Sequence, residues 1–321
     1  MLILIISSLI TLSSNNWISM WIGLELNMMS FIPLILIKVN KSSSEAAMIY
    51  FLTQSISSML LMMTILMFMY KYLIPSKLIL MIMNISLLIK LGAAPFHIWM
   101  PKIMSNMTWS KCGMLMTWQK IAPLYMLSNL NYNMIINLSI ISSIIIGSMG
   151  GINQTSLRKL MGYSSINHLG WMLAINKSMN LWMIYMMIYS TMIIMICYMF
   201  NNYKINFINQ MSSLNMSMTD KYSFFIMMLS MGGLPPFLGF LPKWITIQSM
   251  ILEKEFIMIT MMVMFSLIPL MYYLRVMTNM YLSFNSSTKW SMIHNNKFLT
   301  LMIIWTNLML PLILIIDMNQ F

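Results

Sequence analysis

The chain has 321 residues, 60% of them hydrophobic and 7% charged, with a formal net charge of +12. Soluble domains carry roughly 25% charged residues, so this composition excludes a water-soluble surface. Continuous apolar runs of spanning length predict an all-α polytopic membrane protein. They also exclude the period-two pattern of a transmembrane β-barrel.

In chain order the sequence predicts about eleven transmembrane helices, over 2–14, 16–37, 45–69, 78–101, 111–128, 134–150, 157–175, 180–199, 222–250, 256–283 and 298–317. The first begins MLILIISSLI, and no basic residue precedes Lys38. It lacks the basic n-region of a secretory signal and the Arg-rich pattern of a transit peptide, so it is expected to remain as a helix. The fourth and ninth spans are long and interrupted by Gly and Pro. Methionine occurs 47 times against six Ala and three Val. That bias reads as AT-rich coding with a reassigned Met codon, as in an animal mitochondrial genome. Its physical effect is a soft, adaptable interior.

The loop charges set an orientation. Lys38, Lys41, Lys102, Lys111, Arg158, Lys159, Lys204, Lys221, Lys289 and Lys297 fall on one side, and Lys71, Lys77, Lys177 and Lys254 on the other. The positive-inside rule places the richer side, with the N-terminus, in the compartment of synthesis. For a mitochondrial protein that is the matrix, with the C-terminus in the intermembrane space. The net charge therefore reflects topology, and no aromatic-interleaved basic patch points to nucleic acid. Cys112 and Cys197 form no metal or redox motif. The scattered His97, His168 and His294 do not supply the paired ligands of a haem or copper site, so no bound cofactor is expected in this chain.

Five charges remain inside the spans: Glu25, Lys90, Lys120, Lys243 and Arg275. Each costs about 2.5–3.5 kcal/mol at mid-membrane on insertion scales, so such groups face a bundle interior or a hydrated path. Arg275 lies near enough to its helix end to snorkel as an anchor. Lys90 and Lys120 are too central for that, and the prolines around Lys243 weaken the same reading there. One acid, Glu25, cannot neutralise three lysines. Lysine is the basic side chain that exchanges its proton when buried, which marks these positions as candidate proton carriers. His168, in YSSINHLGW, is either a relay member or a hydrogen-bonded packing residue. His97 stands beside a helix break with no role settled, and His294 falls in a polar loop.

LIKLGAAPFHIWMP and MGGLPPFLGFLPKW each combine Gly, internal Pro, an aromatic residue and a lysine, five spans apart. The odd offset makes them antiparallel, as in an inverted repeat with two broken helices lining a pathway. The expected half-repeats are 16–128, broken at 91–96, and 157–283, broken at 232–242, with 298–317 as a C-terminal helix in a single membrane domain.

WIGLELN, SEAAMIYFLTQ, KLGAAPFHIWMP, TWQKIAPLY, GGINQTSLRKLMGYSSINHLGW and GGLPPFLGFLPKW together resemble the subunit 2 family of mitochondrial NADH:ubiquinone oxidoreductase, respiratory complex I, in an animal, insect-like form. The resemblance covers about residues 15 to 280. It implies an antiporter-like membrane-arm subunit that carries protons beside other membrane-arm subunits, accessory subunits and lipids. NADH, flavin, iron–sulfur clusters and ubiquinone would belong to partner subunits. It also implies that Glu25 pairs with Lys90, that Lys120 connects the halves and that Lys243 serves the second broken helix. Lys102 departs from the family pattern, which has an acid there. Two rivals are a free-standing cation/proton antiporter and a non-transporting scaffold of the arm.

Overall fold

The computed structural model describes residues 1–37, 40–69, 75–130, 134–213, 216–281 and 297–309. Lys38, Lys71, Lys289 and His294, the side chain of Lys297, and the expected final span beyond residue 309 lie outside them. The described chain is helical: α1 (Leu2–Ser13), α2 (Trp17–Ile35), α3 (Lys41–Met69), α4 (Ser76–Leu91), α5 (Trp99–Asn106), α6 (Trp109–Met116), α7 (Trp118–Ser128), α8 (Met134–Ile152), α9 (Leu157–Ala174), α10 (Met179–Asn202), α11 (Met218–Gly232), α12 (Phe240–Leu252), α13 (Phe256–Tyr281) and α14 (Lys297–Leu308). A 3-10 turn covers Ile208–Ser213, and one isolated antiparallel bridge joins Ser156 to Phe207.

Five single helices, α2, α3, α8, α10 and α13, are long and apolar enough to cross a membrane. Burial is inverted relative to a soluble protein. Leu9, Ile56, Ile194 and Leu267 are each more than half exposed, while Asn84, Lys90, Lys120, His168 and Lys243 are buried. Apolar side chains turned outward and charges turned inward suit a hydrocarbon solvent, where every polar group needs a partner inside the protein.

Helix α9 occupies the centre and is buried along almost its whole length. Its small residues allow this, because close helix approach in a membrane depends on backbone-to-backbone contact. At Gly147 on α8, an added Cβ would lie 2.6 Å from the Asn167 backbone nitrogen on α9. At Gly170, a Cβ would lie 2.6 Å from both Ile144 and Ser143 of α8.

The fourth and ninth expected spans are each split in two. Helix α4 ends at Gly92 (φ 68°) and α11 at Gly233 (φ 77°), both in the left-handed region that favours glycine. The capping bonds match: Ala93 N–H donates to Leu88 O and Leu234 N–H to Leu229 O, each five residues back. The following residues also keep step: Pro95, Phe96, Pro101 and Lys102 after Gly92 correspond to Pro236, Phe237, Pro242 and Lys243 after Gly233. The buried lysines do not correspond. The positional partner of buried Lys243 is exposed Lys102, and that of Lys90 is the buried Met231. A third interruption, absent from the expected continuous span 111–128, separates α6 from α7 at Thr117, whose hydroxyl donates to the Gly113 carbonyl at 2.8 Å. The Thr117 N–H keeps its own bond to the same carbonyl, and no Gly or Pro at 117 signals the interruption.

Candidate functional site

Three buried lysines each sit beside one of these interruptions. Lys90 is in the last turn of α4, Lys120 in the first turn of α7 and Lys243 in the first turn of α12. Their exposures are 6%, 2% and 5%, so none reaches lipid or water freely.

Lys90 and Lys120 line the same small cavity, together with Asn27, Tyr50, Gln54 and Gln119. Its volume is about 20 Å³, room for roughly one water molecule. The amides and the phenol form a connected polar wall. Tyr50 Oη donates to Gln119 Oε1 at 3.1 Å, and Gln119 Nε2 donates to Asn27 Oδ1 at 3.0 Å. Gln54 Nε2 donates to the Lys90 carbonyl at 3.3 Å, across from α3. Glu25, on α2, lies within electrostatic reach of Lys90 and Tyr50. It does not pair directly with Lys90. The ion pair formed among the described residues is Lys177–Glu253, half-exposed at another part of the bundle. Glu25 Oε1 is buried without a hydrogen bond.

Helix α9 connects Lys120 to Lys243. Lys120 Nζ donates to the Ser165 carbonyl at 3.0 Å and stands 5.4 Å from the Tyr189 ring. Lys243 Nζ donates to the Gly232 carbonyl at 2.6 Å and stands 5.8 Å from the Trp171 ring. Ser165, His168 and Trp171 follow at intervals of three on α9, so they share a face and span about 9 Å at ~1.5 Å rise per residue. His168 is the middle member of that face. Its Nδ1 lies 2.8 Å from Tyr185 Oη, and its ring is 4.9 Å from the Tyr189 ring. It also lies within the fields of both Lys120 and Lys243.

The structure thus brings Lys90, Lys120, His168 and Lys243 into one succession, with Glu25 at its first end. His97 stays outside it. That ring is half-buried, with Nδ1 3.2 Å from the Pro95 carbonyl and Tyr163 at 6.5 Å. Arg275 is an anchor of a definite kind: its guanidinium donates to the Ile152 carbonyl and, at 2.7 Å, to that of Gln154, closing the end of α8. Lys111, sorted above with the loop charges, is buried and donates to the Ile35 carbonyl at 2.9 Å, closing the end of α2. Cationic groups at helix C-termini satisfy the last carbonyls and oppose the helix dipole.

Sequence reasoning passed over Asn27, Gln54, Gln119, Tyr185, Tyr189 and Asp220. The first three are polar residues inside apolar runs, within the quoted motifs WIGLELN, SEAAMIYFLTQ and TWQKIAPLY, and that was signal enough. Asp220 is 2% exposed and accepts from Tyr203 Oη at 2.5 Å. Its spacing from Ser217, which caps α11, is that of a capping box.

Comparison with known proteins identifies the family. The model of the NADH:quinone oxidoreductase/Mrp antiporter transmembrane family matches residues 14–269. NADH-ubiquinone oxidoreductase chain 2 of Anopheles gambiae is 45% identical, covering 92% of this chain and 89% of the relative. The chain belongs to the NADH-ubiquinone oxidoreductase chain 2 family. The Bos taurus chain 2 is 38% identical over 97% of this chain and 95% of its own. Among solved structures, respiratory complex I from Thermus thermophilus with bound aureothin superposes with a TM-score of 0.81 at 18% identity, over 95% of this chain and 74% of that one. The Mrp complex from a Dietzia species superposes with a TM-score of 0.77 at 14% identity, over 87% and 59%. These two share the all-α fold of this chain.

Proposed function

We propose that this chain is a proton-carrying core subunit in the membrane arm of mitochondrial NADH:ubiquinone oxidoreductase. Its place is the inner membrane, beside neighbouring antiporter-like subunits, accessory subunits and lipids. NADH, flavin, iron–sulfur clusters and ubiquinone belong to partner subunits. The chain crosses the membrane eleven times, with the N-terminus in the matrix and the C-terminus in the intermembrane space. Residues 16–128 and 157–283 are inverted half-repeats.

The observation that carries this reading is the succession Lys90, Lys120, His168, Lys243, every lysine buried beside a helix interruption. Interruptions free backbone carbonyls for polar partners inside the membrane, and such breaks are tolerated where they line a pathway. Glu25 acts as the switch. Moving a carboxylate from about 4 to about 8 Å from an ammonium weakens their attraction by roughly 2 kcal/mol at an effective dielectric near 20. That changes how firmly Lys90 holds its proton. Raising a proton against the membrane potential costs about 2.3 kcal/mol per 100 mV. The succession only conducts, so the distant redox reaction in partner subunits supplies the energy.

The test is Glu25→Gln in the assembled enzyme, with protons pumped per NADH measured in sealed membranes. A lowered ratio at retained NADH oxidation supports the switch. An unchanged ratio favours the scaffold reading, in which this subunit transports nothing.

A further inference from the structure

A groove of about 450 Å³ opens on the outward side of the first helix break. Ile49 and Thr53 of α3 line it, together with Ile89 of α4 and with Pro95, Phe96 and Ile98 of the break. Phe96 and Ile98 are exposed, Ile98 to 61%. The polar groups along it are already engaged. The Thr53 hydroxyl donates to the Ile49 carbonyl at 2.9 Å, and the Ser142 hydroxyl takes the Ala94 carbonyl at 3.0 Å. Pro95 has no N–H. The groove is therefore apolar through its middle.

One end differs. Lys102 also lines the groove, four residues beyond Ile98 and about 6 Å further along α5 at ~1.5 Å rise per residue. It is exposed, and its ammonium has no ion pair among the described residues. Glu45, near the start of α3, accepts instead from Asn106 at 3.3 Å, and exposed Lys41 stands one turn before it. This rim thus carries two cations to one acid. From the break to Lys102 the groove passes from apolar to cationic, in the order in which a phospholipid passes from tail to phosphate.

We infer that the groove seats one anionic phospholipid, with an acyl chain along Ile49, Phe96 and Ile98 and the headgroup phosphate on Lys102. In the orientation proposed above it belongs to the matrix leaflet. A lysine near a helix end reaches headgroup depth by laying its stem along apolar surface. A helix of a neighbouring subunit would need an acid at that depth to answer Lys102, and acids within transmembrane segments are rare. A phospholipid always brings its phosphate there. The seated chain also covers the outward side of the break, where helix packing is interrupted.

The experiment uses the assembled enzyme in its own membranes and two photoreactive probes with the same acyl chains and a mid-chain diazirine. One is phosphatidylglycerol; the other is diacylglycerol, which lacks the phosphate. Mass spectrometry maps the labelled peptides. Phosphatidylglycerol is expected to label segments 49–53 and 95–98 well above diacylglycerol. Lys102→Gln is expected to lower phosphatidylglycerol labelling about fivefold, the weight of one interfacial cation at ~1 kcal/mol, and to leave diacylglycerol labelling unchanged. Ile98→Trp fills the groove from its exposed side and is expected to block both probes with Lys102 intact. Equal labelling of these segments by the two probes overturns the proposal, and the unmodified enzyme alone decides this if a variant fails to assemble. Undiminished phosphatidylglycerol labelling in Lys102→Gln overturns it as well. So does a benzophenone attached at Ile98→Cys that captures a protein subunit and no lipid, which would give the groove to a neighbouring chain.

Discussion

Substituting alanine for Gly233 separates backbone cost from lysine placement. Gly233 has φ 77°, and a Cβ there would lie 2.6 Å from Lys243 Nζ and 2.8 Å from its Cδ and Cε. Left-handed backbone costs a non-glycine residue about 1–2 kcal/mol. Carbon atoms pack at about 3.5–4.0 Å, so the lysine tip must move by roughly 1 Å. That strains or breaks its 2.6 Å bond to the Gly232 carbonyl, and a hydrogen bond to a charged group is worth about 1.5–3 kcal/mol. Together the native arrangement loses about 2.5–5 kcal/mol. Gly92→Ala is the matched control, because Gly92 shares the left-handed backbone (φ 68°) but its Cβ would meet the Trp99 ring at 3.0 Å and no ammonium. Assembled enzyme is measured by native gel, and proton yield per NADH in sealed membranes. Gly233→Ala is expected to reduce assembly more than Gly92→Ala and, in the enzyme that does assemble, to lower the proton yield. Assembly and yield both equal to the unmodified enzyme would refute the placement of Lys243 at the break.

Three further outcomes follow from the packing. Gly147→Ala drives a Cβ into the Asn167 backbone at 2.6 Å and is expected to abolish assembly, whereas Gly113→Ala, with ordinary 3.6 Å contact to Cys197, is expected to be tolerated on the same native gel. Arg275→Ala leaves the Ile152 and Gln154 carbonyls at the end of α8 without their donor, and is expected to lower thermal stability by about 1.5–3 kcal/mol per lost charged bond while the proton yield of assembled enzyme stays unchanged. Lys177→Ala removes a half-exposed ion pair with Glu253, and is expected to change stability by no more than about 1 kcal/mol in thermal melts.

Much of this site was legible from composition and charge alone. Lysines stranded in apolar runs announced themselves, because so few charges occur that each one inside a span demands a reason. The two broken helices were legible from Gly and Pro, and the left-handed caps at Gly92 and Gly233 give the physical basis. The break before Lys120 was not legible, since no Gly or Pro stands at the Thr117 junction. Nor was the role of α9 as connector. His168 stood out as a titratable residue, but its position between Lys120 and Lys243 depends on which helices cross there, and one sequence does not give crossing geometry. Arg158 and Lys111 look like loop charges by position, yet both reach backbone carbonyls, of Met107 at 2.5 Å and Ile35 at 2.9 Å. A positive-inside count registers the sign of such residues and not the helix ends they close.

Lys120 touches both halves of the proposed succession, sharing a cavity with Lys90 and donating to the Ser165 carbonyl on the helix that carries His168. The most direct test of the account is therefore the number of protons pumped per NADH by assembled enzyme carrying Lys120→Met. Methionine keeps the length and apolar packing of the stem and removes the proton site. The account predicts a lowered ratio at retained NADH oxidation. A ratio equal to that of the unmodified enzyme would contradict it.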